Sequence, residues 1–196
     1  MNQSTRSQIL TWLQKEVPES RICHILRVET MAIELANYHD FDSVKAGQAG
    51  LMHDLAKFFK PERLLAIAEH HNLDIDPVSR SVPHLLHAEV GAIVARETFG
   101  VTDPQILDAI ANHTLGKPAM DALSCVVFLA DTLEPGRGQS EELEHLRSLC
   151  LTNLNEAVWR SADFSLQYLL RFQKLIHPRT VMTRNWFLQQ EVFAST

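Results

Sequence analysis

The sequence predicts an all-α fold in one domain, and three observations carry that prediction. Apolar residues recur at helical spacing along nearly the whole chain, strand-type alternation is nowhere sustained, and the breaks fall at Pro, Gly, Asn and Asp. The 196 residues, 45% hydrophobic and 21% charged, can build one core without crosslinks. Seven Gly and eight Pro exclude a collagen-like or low-complexity polymer. Eighteen basic against twenty-four acidic residues give a net charge of −6, which argues against a duplex-DNA binder held by phosphate neutralisation. No nucleic-acid partner is therefore expected. No stretch approaches the ~18 uninterrupted apolar residues of a membrane helix, and residues 1–13 lack a signal-peptide apolar core. Cys23, Cys125 and Cys150 are widely spaced, with no Cys-x-x-Cys, and read as buried thiols in a reducing compartment. The expected location is cytoplasmic.

The first helix begins at a capping box, Thr5-Arg6-Ser7-Gln8, before Ile9, Leu10 and Leu13. A second spans about 18–38, with Ile25, Val28, Ala32, Leu35 and Ala36 on one stripe. Asp42 or Ser43 caps a third, rich in small residues, which continues through 51–59. Pro61 suits the first turn of a fourth, reaching His70. Two Asp, a Pro and two Ser make 72–82 the longest loop. Pro83 opens another helix to about Phe99, stopped by Gly100. Asp103-Pro104 starts the next, which ends near Gly116-Lys117-Pro118. A helix over 120–134 is broken by Pro135-Gly136. Ser140, with Glu141 and Glu142, starts a long helix to about Ile176, and a short one over 180–191 closes the chain.

Ten histidines are the unusual count. His53-Asp54 with Lys57 lies on the third helix, beside the small residues Ala46, Ala49 and Gly50. Alone, this is an ordinary core histidine next to an Asp54–Lys57 pair at i,i+3. His24 faces inward at one end of its helix, His87 shares a face with Gly91 and Val94, and His113 follows Ile106 and Ile110. Asp131 interrupts the apolar run 126–130, where a charge is costly unless it is paired or metal-bound, and Glu134 follows one turn later. Each alone has a structural reading; Asp131 could pair with Arg27 or Arg137. Together, inward His and Asp residues on several helices suggest a binding cavity. Imidazole and carboxylate donors without cysteine suit Fe, Mn, Co, Ni or Zn. Two such ions sharing a carboxylate would hydrolyse a phosphoester or phosphoanhydride, with Lys57 or Arg137 balancing charge. His39, His70, His145 and His177 read as surface residues, while His84 could join the site or cap its helix. Trp159, Phe164, Tyr168, Leu169 and Phe172 read as core or partner-packing surface.

Five segments in order resemble the HD-domain metal-dependent phosphohydrolases. They are Arg21-Ile22-Cys23-His24, Ala49-Gly50-Leu51-Met52-His53-Asp54-Leu55-Ala56-Lys57, Leu85-Leu86-His87-Ala88-Glu89-Val90-Gly91-Ala92, Ala109-Ile110-Ala111-Asn112-His113-Thr114-Leu115-Gly116, and Ala130-Asp131-Thr132-Leu133-Glu134-Pro135-Gly136-Arg137. The set is most similar to the YqeK-like branch, bacterial enzymes that split diadenosine tetraphosphate symmetrically into two ADP. The resemblance covers about 19–138 and leaves 140–196 as a C-terminal helical extension. It implies that His24, His53, Asp54 and Asp131 hold one metal, iron above all, and that Asp54 bridges to a second completed by His87 and His113. A bridging hydroxide would attack phosphorus, giving Asp54 and Lys57 catalytic roles. Lys57 would hold the phosphate chain, while Thr114, Gly116, Glu134 and Arg137 shape the substrate pocket. Three positions depart from the branch: Ile22 stands for an aromatic residue, Leu115 for a Thr, and Thr132 for something bulkier.

The expected protein is thus a two-metal dinucleoside tetraphosphate hydrolase. Its alternatives are another HD-type activity, on mononucleotides or a guanosine alarmone, or a non-catalytic nucleotide-sensing module. The aromatic extension leaves homodimer formation open.

Overall fold

The stripe expected on the second helix is the one it buries: Ile25, Val28, Ala32, Leu35 and Ala36 are closed off from solvent in α2 (Glu19–Tyr38). Each large side chain of this kind contributes ~1.5–3 kcal/mol relative to exposure. Against α2 lies α3 (Ser43–Met52), and its cap is Asp42, which accepts the Val44 and Lys45 amides at 3.0 Å each. The two helices meet closely because α3 carries Gly50, where a Cβ would stand 3.0 Å from the Glu29 backbone. That approach puts the end of α3 beside His24, with the His24 and His53 ring centroids 5.4 Å apart.

The computed structural model describes residues 3–194, and among them every regular element is helical. The remaining helices are α1 (Gln3–Glu16), α4 (Pro61–His70), α5 (Pro77–Ser81), α6 (His87–Phe99), α7 (Pro104–Asn112), α8 (Ala122–Leu133), α9 (Glu141–Thr152), α10 (Leu154–Arg171) and α11 (Pro178–Ala194). Short, tight helical turns occupy Pro83–Leu86 and Pro135–Arg137. Helices α2, α3, α7 and α8 pack on one another, α6 lies against α7, and α10 lies against α8, α9 and α11. Buried side chains from Ile9 to Phe187 join one apolar cluster, with α8 at its centre through Val126, Val127, Leu129 and Ala130. A smaller cluster around Phe59, Leu64 and Leu86 sits under α4. Among the described residues, no helix is long and apolar enough to cross a membrane.

Several boundaries differ from the sequence expectation. Helix α1 begins at Gln3, so Thr5 lies inside it and not at its cap. Helix α3 stops at Met52 instead of running through 51–59. Beyond it the amides of Leu55, Lys57 and Phe59 each reach back three residues, to Met52, Asp54 and Ala56, and the chain tightens into successive turns. The loop 72–82 contains α5, capped by Asp76. Pro83 opens a turn, and the helix proper starts at His87. Helix α7 ends at Asn112, before the glycine expected to stop it. The long helix expected over 140–176 is two: Asn153 takes an extended conformation, and its side chain accepts the Glu156 amide at 3.1 Å, ending α9 and capping α10. The last helix is longer than 180–191. Cys23 is exposed, whereas Cys125 and Cys150 are buried. His177 is not a free surface residue: it is mostly enclosed and bonded to Asp76 at 2.6 Å, which ties the α10–α11 connection to α5.

Candidate metal centre

Three of the helix ends that differ from expectation, or stand next to one, place a histidine. The last carbonyls of a helix have no partner within it, and here imidazoles take that role. The Nδ1 of His53 donates to Gly50 O at 2.7 Å, that of His87 to His84 O at 2.6 Å, and that of His113 to Ile110 O at 2.7 Å. Each reaches back three residues. A carbonyl only accepts, so Nδ1 carries the proton and each Nε2 presents its lone pair inward. His24, in the first part of α2, is oriented differently: its Nδ1 meets Glu134 Oε1 at 2.9 Å. Hydrogen bonding of the outward nitrogen is how metal-ligating imidazoles are commonly fixed.

The inward atoms form two groups on either side of Asp54. Asp54 Oδ2 is 3.2 Å from His53 Nε2 and 3.9 Å from His24 Nε2, and Asp131 Oδ1 lies 3.0 Å from His24 Nε2. Asp54 Oδ1 is 3.5 Å from His87 Nε2 and 3.6 Å from His113 Nε2. His24, His53 and Asp131, within the first group, offer atoms close enough for one cation, as do His53, Asp54 and His113, which span the two groups. The test of fit is the state of the buried donors: His24 Nε2, His53 Nε2 and Asp54 Oδ1 have no hydrogen-bond partner. Orphaned buried polar atoms are costly, and a cation shared among them removes that cost. The donor set, imidazole nitrogen and carboxylate oxygen without sulfur, fits a metal ion.

The electrostatics agree. Burial alone would raise Asp54, but the charge and contacts of His53 and the approach of His113 and His87 hold its carboxyl well below the usual range. Asp131 is likewise held down against burial, by His24, His53 and Arg137. Burial pushes His87 down to about 3 and also lowers His113, so both rings are neutral at physiological pH, the form that can bind a metal. Burial lowers His53 too, but the Asp54 and Asp131 charges outweigh it and raise this ring.

Around this core, Lys57 donates to His87 Nε2 at 3.0 Å and stands 4.0 Å from Asp54, and burial lowers its ammonium. Thr114 Oγ1 lies 2.9 Å from His113 Nε2 and 3.1 Å from His87 Nε2. Arg137 pairs with Asp131 at 2.6 Å, which decides between the two arginines the sequence left open. Arg27 instead pairs with Glu134, which also accepts the Gly136 amide at 2.6 Å. Glu134 is buried on the far side of His24 and is not a cavity-lining group. Gly116 also stands apart from the cavity: its φ is +64°, and a Cβ there would meet Thr183 Cγ2 of α11 at 2.5 Å. His84 is exposed, stacks on His87 at 5.0 Å between centroids, and contributes its carbonyl.

Arg21 had no role in the sequence reading, and Arg27 was offered there only as a partner for Asp131. Arg21 donates its Nε to Asp54 Oδ2 at 2.6 Å, and Arg27 holds Glu134. Both sit three residues from His24 on α2, which is the signal that could have found them. A cavity of about 480 Å³ opens from the centre, bordered by Lys57, His113, Thr114, Asp131 and Arg137. Leu115 and Thr132, two of the departures from the family pattern, also line it. Phe164, Ser165, Tyr168 and Leu169 of α10, which no motif covers, complete part of its wall.

Comparison with known proteins agrees with this geometry. The HD domain family profile matches residues 21–136. A Bacillus subtilis (strain 168) protein named symmetrical bis(5'-nucleosyl)-tetraphosphatase is 34% identical over 93% of this chain and 97% of its own. One of the same name from Halalkalibacterium halodurans is 33% identical over 95% and 98%. A crystal structure from Clostridium acetobutylicum, described as a "predicted HD superfamily hydrolase involved in NAD metabolism", superposes with a TM-score of 0.89 at 30% identity, over 94% of this chain and 97% of that one. Matched in sequence over most of its length and in backbone to an HD superfamily hydrolase, the chain belongs to the HD domain family.

Proposed function

We propose that this protein is a metal-dependent phosphohydrolase that splits diadenosine tetraphosphate at its central anhydride into two ADP. The observation that carries the reading is the pair of donor groups sharing Asp54, whose two oxygens face different histidines. The two relatives named for that activity extend along nearly the whole chain, which supports the choice of substrate. In this reading His24, His53, Asp54 and Asp131 hold one metal ion, and Asp54, His87 and His113 hold a second, with iron the preferred occupant. Bound there, such ions supply positive charge to phosphoryl oxygens and bring the pKa of water toward neutrality.

The chain's own residues do the rest. Glu134 and the three backbone carbonyls keep the imidazoles in the tautomer that leaves Nε2 free. Lys57 and Arg137 face the polyphosphate and offset the charge that develops on the departing nucleoside diphosphate. Thr114 orients the His87 and His113 rings and offers a hydroxyl to a phosphoryl oxygen. The protein acts as one domain, an HD core over 19–138 with the 140–196 extension packed on it, in the reducing cytoplasm that its three free thiols suit.

Incubation of metal-loaded protein with a nucleotide panel tests the proposal. Diadenosine tetraphosphate should give ADP alone, with oxygen from labelled water in one of the two ADP molecules. Diadenosine tetraphosphate left intact while a mononucleotide or guanosine alarmone is hydrolysed would overturn the substrate assignment.

A further inference from the structure

The cavity that opens from the metal centre is lined by two chemically different sets of residues. One set is Lys57, Asp131 and Arg137, the charges suited to phosphate and its counter-ions. The other is Phe164, Tyr168 and Leu169 of α10, together with Leu115 and Leu143. Tyr168 is 50% exposed although it borders a cavity. Its ring is braced by Phe172 at 4.7 Å between centroids and by the Lys174 ammonium at 5.3 Å. A large aromatic left half in water in a cavity that also carries phosphate-binding charges is a feature that packing alone does not require.

The placement of this wall along the chain adds a second observation. The HD profile ends at residue 136, before α9 begins, whereas the tetraphosphatase relatives cover 93% and 95% of the chain. The α10 wall therefore belongs to the part shared with those relatives and lies outside the common HD core.

We propose that the α10 wall, with Tyr168 at its centre, is the nucleoside subsite, where a purine base lies against the Tyr168 ring while its phosphates reach Lys57 and Arg137. This rests on the function proposed above and extends it, because it makes the C-terminal helices the source of base recognition. Base–aromatic stacking is tolerant of base identity, since every base presents a π face. The subsite should therefore separate nucleotides from bare polyphosphates more strongly than adenine from guanine.

Calorimetric binding of ADP and of inorganic pyrophosphate to metal-loaded protein tests this without turnover. Wild type should prefer ADP over pyrophosphate by about tenfold or more, the scale of one stacked base. Tyr168→Ala should remove most of that preference, and Tyr168→Phe should keep it, because the ring face is retained. The same variants assayed on diadenosine tetraphosphate should show the Tyr168→Ala loss in KM more than in kcat. Because Tyr168 is half exposed, its removal leaves the fold intact, which a thermal melt verifies. An unchanged ADP-to-pyrophosphate ratio in Tyr168→Ala, no such preference in wild type, or equal loss in Tyr168→Phe would overturn the subsite. Failure of wild type to cleave diadenosine tetraphosphate would instead sink the proposed reaction, and the binding comparison would still decide the subsite.

Discussion

Removing Glu134 separates a positioning role from a substrate-binding one. The carboxylate accepts from His24 Nδ1 at 2.9 Å, from the Gly136 amide at 2.6 Å, and from Arg27 through two guanidinium nitrogens. In Glu134→Ala the Arg27 side chain, 41% exposed, regains water, but His24, 5% exposed, cannot. Breaking a buried pair costs ~3–5 kcal/mol. Rehydration of Arg27 brings the expectation to the lower end, about 3 kcal/mol. At roughly 2–4 °C per kcal/mol for a chain of this size, the metal-free melting temperature should fall by about 6–12 °C. With its orienting partner gone, His24 should also weaken metal retention by ~10–100-fold. Glu134→Gln, which keeps an acceptor for His24 but loses the charge facing Arg27, should fall between. Thermal melts in chelator and metal analysis after dialysis measure both effects. A variant with wild-type melting temperature and metal content, changed only in KM, would refute the positioning role and return Glu134 to the substrate pocket.

Three further outcomes are expected. Gly116→Ala should lower stability by about 2 kcal/mol, from left-handed backbone strain and the clash with Thr183 Cγ2; adding Thr183→Ser, which removes that methyl but keeps the hydroxyl, should recover part of the loss in urea unfolding. Added Mn²⁺ or Fe²⁺ at a hundredfold over Kd should stabilise wild type by ~2.7 kcal/mol, while His53→Ala combined with Asp54→Ala should gain nothing, and an equal gain would argue against the centre. Asp76, buried in part and bonded to Ser79 and His177, is held below the ordinary carboxylate value. A depressed folded pKa stabilises fully above the unfolded value of ~3.9 and is lost as pH falls through it. The stability gap between wild type and Asp76→Asn should thus be wide at pH 6 and shrink toward pH 3.

Much of the candidate centre was legible without coordinates because its inward polar residues stand at positions where polarity conflicts with the helical pattern. Asp131 breaks the apolar run of α8, and His24 occupies the apolar stripe of α2. What the pattern could not reveal is which side of a ligand its partners lie on. Glu134 shares a motif with Asp131 and so reads as pocket-forming, yet one helical turn carries it behind His24. Gly116, next to Leu115 in the cavity wall, is instead packed against Thr183, far along the chain in α11.

The sequence by itself determined the all-helical class, the buried stripes and the identity of the inward histidines and carboxylates, because periodicity and the cost of burying charge act over one or two turns. Only the tertiary structure decided where α3 and α7 stop, that Asn153 splits the extension, and that α10 returns to wall the cavity. Those outcomes depend on groups distant in sequence competing for the same carbonyls and the same space, and local spacing carries no record of that competition.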